Sequence, residues 1–371
     1  MKHVLILTQP LNNNYGGLLQ AYALQTVVKS FGFDVATNRI KLVEKNSIVR
    51  ILLDYAKTIL KKVVKTILRG RIYTHTIVLR DTNKFIDQYI QTEKISSISK
   101  RIIRNYDVFI VGSDQVFRKK MSHVTKYFLE DLKDYSDKIK IAYAASFGTD
   151  DLFEWTDYDI KTCKQLAPKF NAISVREDTG IRIMKEKFGV VAEHVLDPTM
   201  LLCKEDYLRI IEKEDQVTRK NVLMTYILDE SDEKKKMVEL VKNQLGLMPL
   251  KVMPEEKYNK KIKDIEKCIF PSVSKWISGF RDADFVITDS FHGTVFSILF
   301  QKPFISISND MRGVTRMSSL LKIFNLQNRL VSTKNEISEN VLSPIDYQQV
   351  NFVLDEWRIK SMSFLKTNLC L

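Results

Sequence analysis

The sequence predicts an α/β protein of two domains, each a parallel sheet wound with helices on both faces. Three observations carry this. Short apolar, β-branched runs alternate with stretches of helical periodicity from Val4 to Ile307. Strand after strand ends in small and polar residues, the pattern of a ligand crevice at the carboxyl ends of an open sheet. A length of 371 residues supplies enough chain for two ordinary cores.

Residues 4–8 read as the first strand, followed by the turn-rich loop 9–17. Leu18, Leu19, Ala21, Tyr22, Leu24, Val27 and Val28 recur at helical spacing, Gly32 ends that helix, and residues 34–40 make the second strand. This βαβ opening implies a parallel sheet. Gly16 and Gly17 would let backbone approach a ligand closely, although neither a GxGxxG nor a P-loop pattern is present; a plain tight turn is the other reading. Residues 46–72 carry an apolar helical stripe and seven positive charges against the single acid Asp54. The favoured reading is a core-facing helix with a solvated basic face, the other a peripheral contact with an anionic inner membrane surface.

Helical pattern continues over residues 80–104. Strands follow at 106–111, 139–144 and 172–175, the last feeding a helix at 179–188. Residues 195–202 read as the last strand and exit turn of a first domain, 1–203, and residues 204–220 as a charged helical connector. The second domain, 204–342, has strands at 222–228, 250–253, 285–287 and 302–307 and helices at 232–245, 272–282 and 294–300. Residues 343–371 are helical in pattern and placed to pack back across the junction.

Composition narrows the classes. Four cysteines with no CxxC pair argue against a zinc site or a disulfide framework. The amino terminus is too short in apolar residues for a signal peptide, and no run approaches the ~18 needed to span a membrane, so a cytoplasmic protein is expected. Net charge is +13, which suits anionic partners. No nucleic-acid module is recognisable, so phosphate-bearing small molecules are favoured over nucleic acid.

The sharpest cluster is Thr288-Asp289-Ser290-Phe291-His292-Gly293, a polar turn between a buried strand and an apolar helix. Helix amino ends favour bound anions, and a histidine there can move protons. Taken alone, His292 also reads as a surface histidine in a tight turn, and Asp289-Ser290 as a helix cap. The rest of the expected crevice is Asn14, Gly16, Gly17, Asp114, Ser146, Arg176, Ser290 and Gly293, with Arg312 and Arg316 after the last strand. Arginines suit capture of phosphate or carboxylate. Asp114 is a candidate base, with a cap as its other reading. No metal-ligand cluster or GxSxG elbow is present. The set points to group transfer involving a small anion.

Taken together, the motifs Asn14-Tyr15-Gly16-Gly17, Val111-Gly112-Ser113-Asp114, Tyr143-Ala144-Ala145-Ser146, Ser174-Val175-Arg176-Glu177, Asp197-Pro198-Thr199 and the His292 turn resemble the polysaccharide pyruvyl transferase family. The resemblance implies two Rossmann-like domains similar to the GT-B glycosyltransferase fold, with the active-site cleft between them. It implies transfer of pyruvate as a ketal from phosphoenolpyruvate, as donor substrate and without a cofactor, onto a sugar of a surface or capsular polysaccharide, an acceptor either lipid-linked or free. By match, Arg176 and His292 would hold phosphoenolpyruvate. Some relatives carry a basic residue where this chain has Ser290, and Arg312 or Arg316 is placed to supply that charge. Two other readings are a glycosyltransferase using a nucleotide sugar, which shares the fold, and a non-catalytic polysaccharide-binding scaffold.

Overall fold

The computed structural model describes residues 2–43, 76–212, 215–256, 258, 264–309 and 312–370. The basic stretch at 46–72 lies outside the described residues.

The first sheet begins with β1 (His3–Leu7), α1 (Tyr15–Ser30) and β2 (Asp34–Asn38). It continues through α2 (Arg80–Tyr89), β3 (Thr92–Glu93), α3 (Lys100–Asn105), β4 (Val108–Asp114) and α4 (Val124–Tyr127). Then come β5 (Ile139–Ala145), α5 (Asp157–Leu166), β6 (Ala172–Val175), α6 (Asp178–Ile183) and β7 (Glu193–His194). Seven strands lie in the order β3-β2-β1-β4-β5-β6-β7, every pair parallel. All seven residues of β4 are buried, as expected of a strand covered by helices on both faces.

After α7 (Lys204–Leu208) the second sheet is built from β8 (Val222–Tyr226), α8 (Asp232–Leu245), β9 (Met248–Lys251), α9 (Val273–Asp282) and β10 (Ala283–Thr288). It closes with α10 (Phe291–Leu299), β11 (Phe304–Ile307), α11 (Thr315–Ile323), β12 (Leu330–Val331) and α12 (Glu339–Leu342). Its order is β12-β11-β10-β8-β9, also all parallel. In both sheets the winding direction reverses once, between β1 and β4 and between β8 and β10. Such switch points open a crevice outside the strands' carboxyl ends. The site therefore falls after β1 and β4 in one sheet and after β8 and β10 in the other.

One apolar cluster runs through both units, joining Leu24 and Ile110 of the first to Trp276, Phe280 and Phe296 of the second. Tyr15 belongs to this seam: its ring stacks on Trp276 at 5.6 Å and its hydroxyl donates to the Pro271 carbonyl at 2.7 Å. The last helix, α13 (Tyr347–Leu369), crosses from one unit to the other. Its Tyr347 hydroxyl donates to the Lys302 carbonyl at 2.5 Å, whereas Arg358 Nε donates to the Met200 carbonyl at 2.7 Å and Ser361 Oγ accepts from Leu196 N–H at 3.0 Å.

Several elements differ from the periodicity reading. The helix expected over 80–104 is split because Gln25 bonds both backbone groups of Gln91, drawing Thr92–Glu93 onto the sheet edge beside β2. Residues 195–202 are not a strand: Pro198 cannot extend the ladder, and Asp197 caps the 3-10 turn Pro198–Met200 through Thr199 N–H at 3.1 Å. The connector helix stops at Leu208, where the chain turns to bury Ile210 and Ile211. The helix expected from Thr294 begins at Phe291, so His292 lies in its first turn and Ser290 is the cap.

Candidate active site

The two switch points face each other across a narrow cleft whose enclosed space is about 40 Å³. From the first unit come Asn14, Asp114 and Gln115; from the second come Leu228, Asp289 to His292, Arg312, Gly313, Arg316 and Met317. Asn14 is there because it ends the β1 loop, its carbonyl accepting the α1 bond from Leu18 N–H at 2.9 Å. Asp114 ends β4 with φ 69°, in the left-handed region that aspartate tolerates better than most residues.

Beneath the cleft lies a buried charge network. The Arg176 guanidinium bonds Asp197 Oδ2 at 2.6 Å and Asp114 Oδ1 at 2.8 Å. It also lies 4.4 Å from the centre of the Phe291 ring. Asp197 accepts further from Ser113 Oγ at 3.0 Å and Thr199 Oγ1 at 2.7 Å. Burial pushes the Asp114 carboxyl up, but Arg176, then His292 and Arg316, hold it below its ordinary value. Burial likewise opposes Asp197, which His292, Arg176 and Thr199 nevertheless hold far below the carboxylate range. Glu177 goes the other way: burial raises it against the pull of Arg176 and Arg316.

Both aspartates have depressed folded-state values, so the stability they contribute is present above the unfolded carboxylate value of about 3.9 and is lost as pH falls through the folded values. The difference in melting temperature between wild type and Asp114→Asn is therefore expected to be constant from pH 7 to about 5 and to shrink below about pH 4. Thermal melts across that range check it.

His292 sits between the units. Its Nε2 is 3.8 Å from Asp197 Oδ2, beyond hydrogen-bond reach, and is buried with no hydrogen-bond partner among the described residues. On its other side is Gly16, where a Cβ would fall 2.0 Å from His292 Nδ1. Gly16→Ala is thus expected to cost about 1–3 kcal/mol, as overpacking does, and most of that cost should vanish in a His292→Ala background. A double-mutant cycle by urea denaturation measures this coupling.

Arg316 is the conspicuous cation of the cleft. Its side chain is buried, its guanidinium is 5.6 Å from the Phe291 ring centre on which Arg176 also rests, and its Nε has no hydrogen-bond partner among the described residues. Among the described residues it makes no ion pair; it bonds the Arg312 carbonyl. Burial, then repulsion from Arg176, brings it down to about 10, so it stays charged at neutral pH. Arg312 is instead paired with Asp229, whose carboxyl it pulls down to about 2 against burial.

Several expected site residues serve the architecture. Gly16 makes room for His292, and Gly17 for the Asn14 side chain, where a Cβ would lie 3.2 Å from Nδ2. Gly293 packs on Thr288, with a Cβ position 2.1 Å from Oγ1, and gives its N–H to Ser290 Oγ at 3.4 Å. Ser290 lines the cleft as that cap. Ser146 is not among the lining residues; its buried hydroxyl accepts from Gly148 N–H at 3.1 Å. Asp197 and Phe291, each inside a motif quoted above, also belong to the site, as does Gln115, one residue beyond the Asp114 motif. Asp289, buried, accepts from Leu228 N–H at 2.7 Å, Asp229 N–H at 3.1 Å and Lys234 Nζ at 2.6 Å, tying the β8 and β10 loops together.

Two Rossmann-like units with the ligand cleft between their facing switch points define the GT-B class. Solved structures agree on the fold: UDP-N-acetylglucosamine 2-epimerase from Neisseria meningitidis bound to UDP-GlcNAc matches with a TM-score of 0.52, at 8% identity over 100% of both chains. S. aureus MnaA in complex with UDP matches at 0.50, with 10% identity over 98% of this chain and 91% of that one. No protein of curated description matches. The family model for polysaccharide pyruvyl transferase matches residues 14–311, and the chain belongs to that family. Among the described residues no helix is long and apolar enough to cross a membrane.

Proposed function

We propose that this transferase moves pyruvate from phosphoenolpyruvate onto two hydroxyls of a saccharide, forming a ketal. The observation that carries the reading is a buried arginine, Arg316, that has no carboxylate partner among the described residues, beside a histidine at the amino end of a buried helix. Phosphoenolpyruvate brings a phosphate and a carboxylate, which such a cation and the first amides of α10 would stabilise. Arg316 supplies the charge that some relatives place at the position of Ser290.

In this reading His292 gives a proton to the methylene carbon, making C2 electrophilic. The first sugar hydroxyl bonds to C2, and its proton then passes to Asp114. A carboxylate held this low is a weak base, so that transfer follows bond formation, when the oxygen has become acidic. Phosphate leaves carrying the proton from Asp114. The second hydroxyl bonds to C2 and returns its proton to His292. The sum is one methyl ketal and one hydrogen phosphate, with all protons accounted for.

Mass spectrometry of defined saccharides incubated with enzyme and phosphoenolpyruvate tests the reading. It requires a mass gain of one pyruvic acid less one water, matched mole for mole by released phosphate. Phosphate release without a change in saccharide mass would refute it.

A further inference from the structure

A second cavity, of about 270 Å³, opens between α8 and the carboxyl ends of β8 and β9. It shares a wall with the cleft: in the loop after β8, Leu228 faces the cleft while Ile227, Glu230 and Ser231 face the cavity. Asp289 fixes that wall from below through Leu228 and Asp229, and its ion pair to Lys234 joins the two linings. A ligand lying over the loop would reach both.

The lining says what kind of ligand. Ile227 and Val238 give a small apolar patch, and the rim is made of hydroxyl, ammonium and carboxylate groups. Its charges are already compensated: Lys251 pairs with Glu230 at 2.5 Å, Lys234 with Asp289 at 2.6 Å and Lys235 with Asp232 at 3.1 Å. Among the described lining residues a phosphate would find no uncompensated cation, unlike beside Arg316, and a nucleobase would find no aromatic ring. A pyranose has one apolar face and a rim of hydroxyls that both donate and accept, which suits an apolar patch ringed by alternating ammonium and carboxylate groups.

We propose that this cavity is a saccharide subsite, holding the sugar unit next to the one that is pyruvylated in the cleft. Its role as acceptor subsite rests on the pyruvyl-transfer reading; its saccharide binding does not. The cavity would then make the enzyme prefer an oligosaccharide over a single sugar.

The test is retention of the full chain on a printed array of defined mono- to tetrasaccharides, with phosphoenolpyruvate titrated separately. Val238→Trp fills the cavity, and a Glu230→Ala/Lys251→Ala double variant strips its exposed rim without touching the core. The expected result is an oligosaccharide retained by the wild type and weakened about tenfold or more in both variants, with phosphoenolpyruvate binding unchanged. Equal retention by wild type and both variants, or no retained saccharide at all, would overturn the subsite. Cavity-dependent saccharide binding without any phosphoenolpyruvate binding would leave the subsite standing and remove the donor reading.

Discussion

Arg176→Ala is expected to lose roughly 3–5 kcal/mol of folding stability. Its guanidinium is fully buried and joins two buried carboxylates that belong to different loops, Asp114 after β4 and Asp197 before the 3-10 turn. Without it, both carboxylates must be protonated or stay charged with no cation bonded to them, and each outcome is costly. The Phe291 ring would also lose its closest cation. Lysine is a poor substitute, because one ammonium cannot reproduce the two directed bonds of a planar fork. Asp197→Asn in the same chain should recover part of the loss by removing one orphaned charge. Urea denaturation checks both changes; a loss below about 1 kcal/mol would mean that the network is held together by other contacts. The resemblance made Arg176 a donor ligand, whereas its bonds make it the tie that keeps Asp114 at the cleft. A binding defect in Arg176→Ala is therefore read only alongside its stability.

Arg316→Ala should show the opposite balance. Removing a buried cation that has no ion pair among the described residues also removes its desolvation cost, which offsets the lost packing on Phe291. Stability is expected to change by no more than about 1 kcal/mol. Binding of phosphoenolpyruvate, by contrast, should fall about ten- to hundredfold, the worth of one charged hydrogen-bonded contact. His292→Gln, which keeps much of the volume beside Gly16, should abolish ketal formation while the fold persists. A site built for an anion has this signature: binding falls and stability does not. A large stability loss in Arg316→Ala with binding unchanged would make Arg316 a packing residue.

Much of this was legible in the sequence, for identifiable reasons. Buried parallel strands such as β4 and β10 are near-continuous apolar runs, and their polar ends mark the crevice whatever the details of packing. His292 and Asp114 could be placed at the cleft because each ends or follows such a strand. Ser146 has the same local pattern, yet the folded loop buries its hydroxyl beside the Gly148 amide and away from the cleft lining, which local sequence does not decide. Gly16 was legible as a place of close approach, but not as the place where His292 of the other unit approaches. The edge strand Thr92–Glu93 escapes local periodicity because a distant partner, Gln25, draws it to the sheet, whereas at 195–202 the exit turn is legible and only the strand before it is absent, since Pro198 and the Asp197 cap end extended structure there.

Calorimetric titration of phosphoenolpyruvate into the wild-type chain, Arg316→Ala and His292→Gln tests the central claim most directly, run with and without a saccharide mixture so that ordered binding is covered. The account predicts saturable binding to the wild type in at least one condition, a loss of about tenfold or more in Arg316→Ala, and competition by inorganic phosphate. Absence of phosphoenolpyruvate binding in both conditions, with saturable binding of UDP-N-acetylglucosamine in the same cleft, would contradict it and make the enzyme a user of nucleotide sugars.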